Sequence, residues 1–172
     1  MTALLLTFAL GLQSPADAFQ PTGPKIQVTM KSGGKFVITT DQAGSPKSVE
    51  HILDLVKHKF YDRQRIHRVE SWVTQWGAPA SRNQDLTKDA VLDGGSGKDV
   101  PFEESKWDFH RGVVGIASEG LQRGGDSQLF ILKKDTFRLY RSYAVVGKVT
   151  SGMSVVDQIK KGDRIASMRV VR

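Results

Sequence analysis

The chain contains no cysteine. That removes a disulfide framework, a thiolate metal site and a cysteine nucleophile from consideration together. Its four histidines, His51, His58, His67 and His110, follow neither an HxxxH nor an HExxH spacing, so no metal and no other cofactor is expected. A Gly-x-Ser-x-Gly elbow, which a serine hydrolase of the common type needs, is also missing. Gly94-Gly95-Ser96-Gly97-Lys98 is half of a phosphate loop, but Leu92 stands where the leading glycine belongs and Asp99 where Ser or Thr belongs. It reads as a flexible loop. Basic residues outnumber acidic ones by 25 to 18, yet there is no run of five like charges and no basic stripe interleaved with aromatics. The pattern is a solvated basic surface, with no nucleic-acid partner expected.

What is present is the composition of one soluble domain, 39% apolar and 25% charged in 172 residues. A domain of that size buries roughly 70% of the surface its unfolded chain exposes. The first eighteen residues differ from the rest. Met1 to Leu12 carry no charge, Ala3 to Leu10 form an apolar run, and Ala16-Asp17-Ala18 has the small-residue pattern of a cleavage site. Residues 1–18 are therefore expected to be a signal peptide, although the usual Lys or Arg before the apolar run is absent. The run is too short to span a bilayer as a permanent helix. The mature domain is expected over 19–172, exported, periplasmic, monomeric and free of membrane spans.

Strand signals dominate that domain. Lys25 to Met30 alternates with period two, Ser32-Gly33-Gly34 supplies a turn, and Lys35 to Thr39 resumes the alternation, which predicts a hairpin. Ser45-Pro46 opens a helix, with Ser45 as the expected cap. Val49, Ile52, Leu53 and Val56 then form one apolar stripe at helical spacing. Alternation returns from Arg63 to Gly77, broken at Glu70-Ser71. Residues 78–100 read as a long surface excursion. Strands follow at Gly112–Ala117, Ser127–Leu132, Tyr143–Thr150 and Ile165–Val171, with a second helix over Met153 to Ile159. Many strands and two helices predict a mainly β chain, folded as a closed antiparallel barrel capped by the helices.

Three segments carry chemistry. They are Ile66-His67-Arg68 followed by Trp72, Val73, Gln75 and Gly77; Ser127-Gln128-Leu129-Phe130-Ile131; and Val145-Val146-Gly147-Lys148-Val149. Lining one wall, they would present a guanidinium, two amides and two large aromatics, with no nucleophile. Such a set suits an apolar ring gripped beside one well-aimed hydrogen-bond donor.

In order and residue type these segments resemble the cyclophilins, the barrel-fold peptidyl-prolyl isomerases, above all their bacterial members. Ile66-His67-Arg68 stands for the family's aromatic-His-Arg, Trp72-Val73 for its aromatic-Met pair, and Gln75 for its glutamine. Trp76-Gly77 replaces a glycine pair, and the connection from Arg68 to Trp72 is one residue shorter than usual. Ala117-Ser118 stands where Ala-Asn borders the proline pocket. Tyr143 takes a histidine position, and the tryptophan usual just before Leu139 is replaced by Arg138, or by Phe137 on a shifted alignment.

The resemblance implies an eight-stranded cyclophilin-like barrel, proline-containing polypeptides as partners, and isomerase activity. It assigns Arg68, Gln75 and Gln128 to catalysis, and Trp72, Val73, Ala117, Ser118, Phe130, Leu139 and Tyr143 to substrate binding. His67 is expected to be structural, its side chain alternating away from Arg68. Rotation about an X-Pro bond crosses a barrier of about 18–20 kcal/mol because it breaks amide conjugation. At the twisted geometry the proline nitrogen regains a lone pair, and Arg68 would donate to it only there. The alternative expectation is a cyclophilin-like module that binds proline segments with little turnover.

Overall fold

The computed structural model describes residues 19–172; the signal segment expected in residues 1–18 lies outside them. β1 (Lys25–Met30) and β2 (Lys35–Thr40) form the expected hairpin. Their alternation sends Ile26, Val28, Met30, Phe36 and Ile38 into the core. Gly33 carries the turn at φ 94°, a left-handed backbone that other residues resist. α1 (Pro46–Lys57) buries its stripe of Val49, Ile52, Leu53 and Val56. Ser45 occupies the cap position, but its hydroxyl makes no capping bond among the described residues. Glu103, far along the chain, caps the helix instead. Its carboxylate accepts the backbone N–H of Lys47 at 3.0 Å and of Ser48 at 2.8 Å, meeting free donors and the positive end of the helix dipole together.

The remaining strands are β3 (Arg68–Val69), β4 (Val73–Trp76), β5 (Val113–Ile116), β6 (Leu129–Leu132), β7 (Val145–Ser151) and β8 (Ile165–Val171). All eight join one antiparallel sheet in the order β3-β4-β6-β5-β7-β2-β1-β8. The sheet curls on itself, but its end strands share no ladder. One bridge, Arg65 to Arg164, joins the seam. Backbone bonds support it: Ile66 N–H to Asp163 O at 2.8 Å and Ile165 N–H to Gln64 O at 2.9 Å. The expected closure is thus corrected to a curled sheet with a stitched seam. The reason is local. The chain turns at Arg63 (φ 65°) and at Gly162 (φ 95°), which leaves only a short extended stretch on either side.

α1 lies against β8, and α3 (Met153–Gln158) lies against β2. A third helix was not expected. It is α2 (Asp89–Leu92), a single turn inside the 78–100 excursion that sinks Val91 into the protein. The Gly94–Lys98 segment is not loose either. Asp126 accepts hydrogen bonds from the Ser96 hydroxyl, from Gly97 N–H at 2.7 Å and from Lys98 N–H at 3.3 Å. Among the described residues no helix is long and apolar enough to cross a membrane.

Two apolar clusters result. The larger fills the inside of the curl, with Trp76, Val114, Ile116, Leu129 and Ile131 at its centre. The smaller lies on the opposite face of the same strands and includes Val73, Phe109, Phe130, Leu132 and Leu139.

Candidate active site

One row of cross-strand partners builds the site on that second face. Arg68 pairs with Gln75, Gln75 with Phe130, and Phe130 with Gly115, across β3, β4, β6 and β5. Directly opposed residues share a face of a pleated sheet, so guanidinium, amide and ring stand side by side. Gly115 is needed there. A Cβ on it would come within 2.3 Å of the Phe130 ring, so only a glycine lets the ring lie over the neighbouring strand. Phe109 stacks on Phe130 with centroids 6.4 Å apart, and Tyr143 meets it edge-on at 5.5 Å. Held on two sides, the ring is a rigid wall.

The cavity over this row has a volume of about 250 Å³. Arg68, Trp72, Val73, Gln75, Ala117, Ser118, Phe130, Leu139 and Tyr143 line it, together with Arg138. Nine of the ten residues expected at the site therefore converge. The tenth, Gln128, lies beside the cavity, in an adjoining hollow of about 610 Å³ that shares Gln75, Ala117 and Ser118. Its place in the hydrogen-bond chain explains this. Arg68 donates through Nη1 to Gln75 Oε1 at 3.3 Å, and Gln75 donates to Gln128 Oε1 at 2.8 Å. Gln128 spends its own amide N–H groups on the carbonyls of Leu92 at 2.8 Å and Gly94 at 2.9 Å. It holds Gln75, which holds Arg68, and its link to Arg68 is indirect.

Sequence reasoning passed over Glu70. The Glu70 N–H to Val73 O bond of 2.9 Å closes the tight turn between β3 and β4. From that turn the carboxylate accepts Arg68 Nε–H at 2.7 Å and Trp72 Nε1–H at 2.8 Å. The bond from Arg68 holds the Glu70 carboxyl below the usual carboxylate range, helped by Trp72 and by the charges of Arg68 and Arg138. Arg68 Nε and Nη1 are thus engaged, and Nη2 has no partner among the described residues. The signal was its spacing, two residues from Arg68 and so on the same face of an extended chain. Gly115 and Phe109 left no comparable mark.

His67 is buried, and its Nδ1 has no hydrogen-bond partner among the described residues. Burial pushes its pKa down to about 4, with Arg68 and Lys161 adding to the shift and a bond with Gln128 opposing it. A neutral histidine at this place adds no charge beside Arg68. Trp76, which replaces one glycine of the resembled motif, points into the inner core and meets Phe36 edge-on at 6.4 Å. Gly77 remains a glycine where φ is 128° and a Cβ would lie 2.4 Å from Gln128 Cα.

Comparison with known proteins bears on the family and the fold. Residues 25–172 match the family described as "Cyclophilin type peptidyl-prolyl cis-trans isomerase/CLD". A "Probable peptidyl-prolyl cis-trans isomerase" of Brucella abortus (strain 2308) is 36% identical over 164 residues, covering 93% of this chain and 83% of that protein. A peptidyl-prolyl cis-trans isomerase of Helicobacter pylori (strain ATCC 700392 / 26695) is 33% identical over 140 residues, 78% of this chain and 80% of its own. Among solved structures, a Cryptosporidium parvum cyclophilin-type isomerase superposes with a TM-score of 0.75 at 17% identity, over 88% of this chain and 99% of that one. The same protein was also solved in the presence of the dipeptide Ala-Pro, with a TM-score of 0.73 and 86% of this chain covered.

Proposed function

The chain belongs to the cyclophilin-type peptidyl-prolyl cis-trans isomerases, and from that premise we propose that Arg68 supplies the catalytic hydrogen bond. The enzyme accelerates cis–trans rotation of X-Pro bonds in polypeptides. The observation that carries the role of Arg68 is its place in a single row with Gln75 and Phe130, over a cavity sized for a small ring. The pyrrolidine ring rests against Phe130 and Leu139, with Ala117 leaving room for it. Glu70 and Gln75 hold two edges of the guanidinium, so the free Nη2 edge is presented in one orientation.

In a planar amide the proline nitrogen is a poor acceptor, because its lone pair is delocalised. As the bond twists, that pair localises and can accept from Arg68. The contact exists in the transition state and not in either ground state, which is what raises kcat. A charge-assisted bond contributes roughly 1.5–3 kcal/mol, or about one to two decades of rate. Positioning of the ring and its flanking carbonyls by Trp72, Ser118 and Tyr143 provides the remainder.

The Ala-Pro dipeptide named with the Cryptosporidium protein fits the same substrate class. The working place of the enzyme is outside the cytoplasm, on the strength of the apolar run and small-residue site in residues 1–18, and its clients are exported polypeptides. A protease-coupled assay on a short X-Pro peptide tests the catalytic assignment. Arg68→Ala is expected to lower kcat/KM by about ten- to a hundredfold. Full turnover in that variant would remove Arg68 from the mechanism. Peptide binding by the native protein with no acceleration would make it a holder of proline segments.

A further inference from the structure

A second guanidinium stands over the cavity, and the isomerisation chemistry does not use it. Arg138 belongs to the short 3-10 turn Phe137–Leu139, next to the buried Leu139. Its Cζ lies 4.7 Å from the centroid of the Trp72 ring, and that of Arg68 lies 5.3 Å from the same ring. Two cations therefore share one indole. Among the described residues Glu70 is the carboxylate that serves this group; its bonds go to Arg68 and Trp72, and Arg138 acts on it through charge without a bond. Arg138 has no ion-pair partner among the described residues, although its side chain is exposed and lines the cavity.

A guanidinium held over an aromatic face is oriented without being neutralised. Its N–H edge stays free to take a carboxylate in a two-point grip. We propose that Arg138 is a specificity-determining residue, selecting X-Pro segments with an acidic side chain adjacent to the proline. The inference rests on the isomerase reading above and adds the chemistry of the preferred client. The excess of basic over acidic residues, 25 to 18, favours the approach of acidic segments to the molecule as a whole.

The test uses capped, amidated peptides with Glu, Gln or Lys placed immediately before or after the proline, so that the only carboxylate is a side chain. In one of the two positions the native enzyme should favour Glu over Gln by about three- to fivefold in kcat/KM at low salt, falling toward unity in 1 M salt. Arg138→Gln should erase the preference, and Arg138→Glu should reverse it toward Lys. Equal rates for Glu and Gln in both positions would overturn the proposal, as would a preference that survives Arg138→Gln. Titration of the same peptides by tryptophan fluorescence separates the two readings. Glu-selective binding without acceleration supports Arg138 and defeats the isomerase assignment. Acceleration with no selectivity does the opposite.

Discussion

The two faces of β4, β5 and β6 share one backbone and differ in almost everything else. On the inner face Trp76, Val114, Ile116, Leu129 and Ile131 are all essentially inaccessible, each at 0% or 1% exposure. On the outer face Val73 and Phe130 are as apolar, but they alternate with Gln75 and border Arg68, and their cluster opens into a cavity. Successive residues on a strand thus do different jobs. The inner set stabilises the sheet by burial, and the outer set keeps an oily surface open beside fixed polar donors. Substitutions on the two faces should therefore separate stability from catalysis.

The largest effect is expected inside. Ile131→Ala should cost about 2–5 kcal/mol of unfolding free energy by denaturant titration, through lost burial and the cavity it leaves. The kcat/KM of the folded protein should stay within about twofold of native, because the residue faces away from the substrate. A rate loss larger than the stability loss explains would blur the distinction between the faces.

His67 sharpens the comparison from the boundary between them. Its ordinary pKa of 6.5 falls to about 4 in the folded chain, so the unfolded chain binds the extra proton first. Its contribution is complete above pH 6.5 and drains away as pH falls toward 4, amounting to about 3 kcal/mol in all. Urea unfolding at stepped pH should show that slope in the native protein and a shallower one in His67→Asn. Identical slopes would mean that the buried ring protonates freely.

Glu70 gives the smallest effect, confined to the outer face. Glu70→Gln keeps one acceptor for Arg68 or Trp72 but not both, so kcat/KM should drop by about two- to fivefold, as for other exposed charged contacts. Because the carboxyl titrates below its usual range, the native contact holds at neutral pH and is lost only on acidification through that lowered value. Over that acid range the native rate should fall toward that of the Gln variant, measured by NMR exchange. Parallel pH profiles would show that Glu70 does not position the guanidinium.

The contrast also explains which features are legible in the sequence. Period-two alternation located the β1–β2 hairpin and the strands around Phe130 and Val146. The stripe from Val49 to Val56 located α1, because short-range spacing alone decides which face is buried. The converging set of Arg68, Gln75 and Phe130 was legible for a different reason, the order of three motifs. Features set by distant partners were not legible. Glu103 caps a helix some fifty residues earlier, Val91 orders α2 by sinking into the protein, and the seam depends on backbone turns at Arg63 and Gly162. Gln128 had the right residue type for a contact with Arg68, yet its amide is committed to Leu92 and Gly94. Nothing local to Gln128 announces those two carbonyls.

The central claim is that Arg68 acts on the twisted bond and contributes little to ground-state binding. Two-dimensional exchange NMR on an X-Pro peptide titrated with enzyme reads affinity from the sub-saturating points and the on-enzyme rotation rate at saturation. For Arg68→Ala the account predicts affinity within about threefold of native and a rotation rate lower by about ten- to a hundredfold. A variant that binds far more weakly but still rotates the bound peptide at the native rate would contradict it.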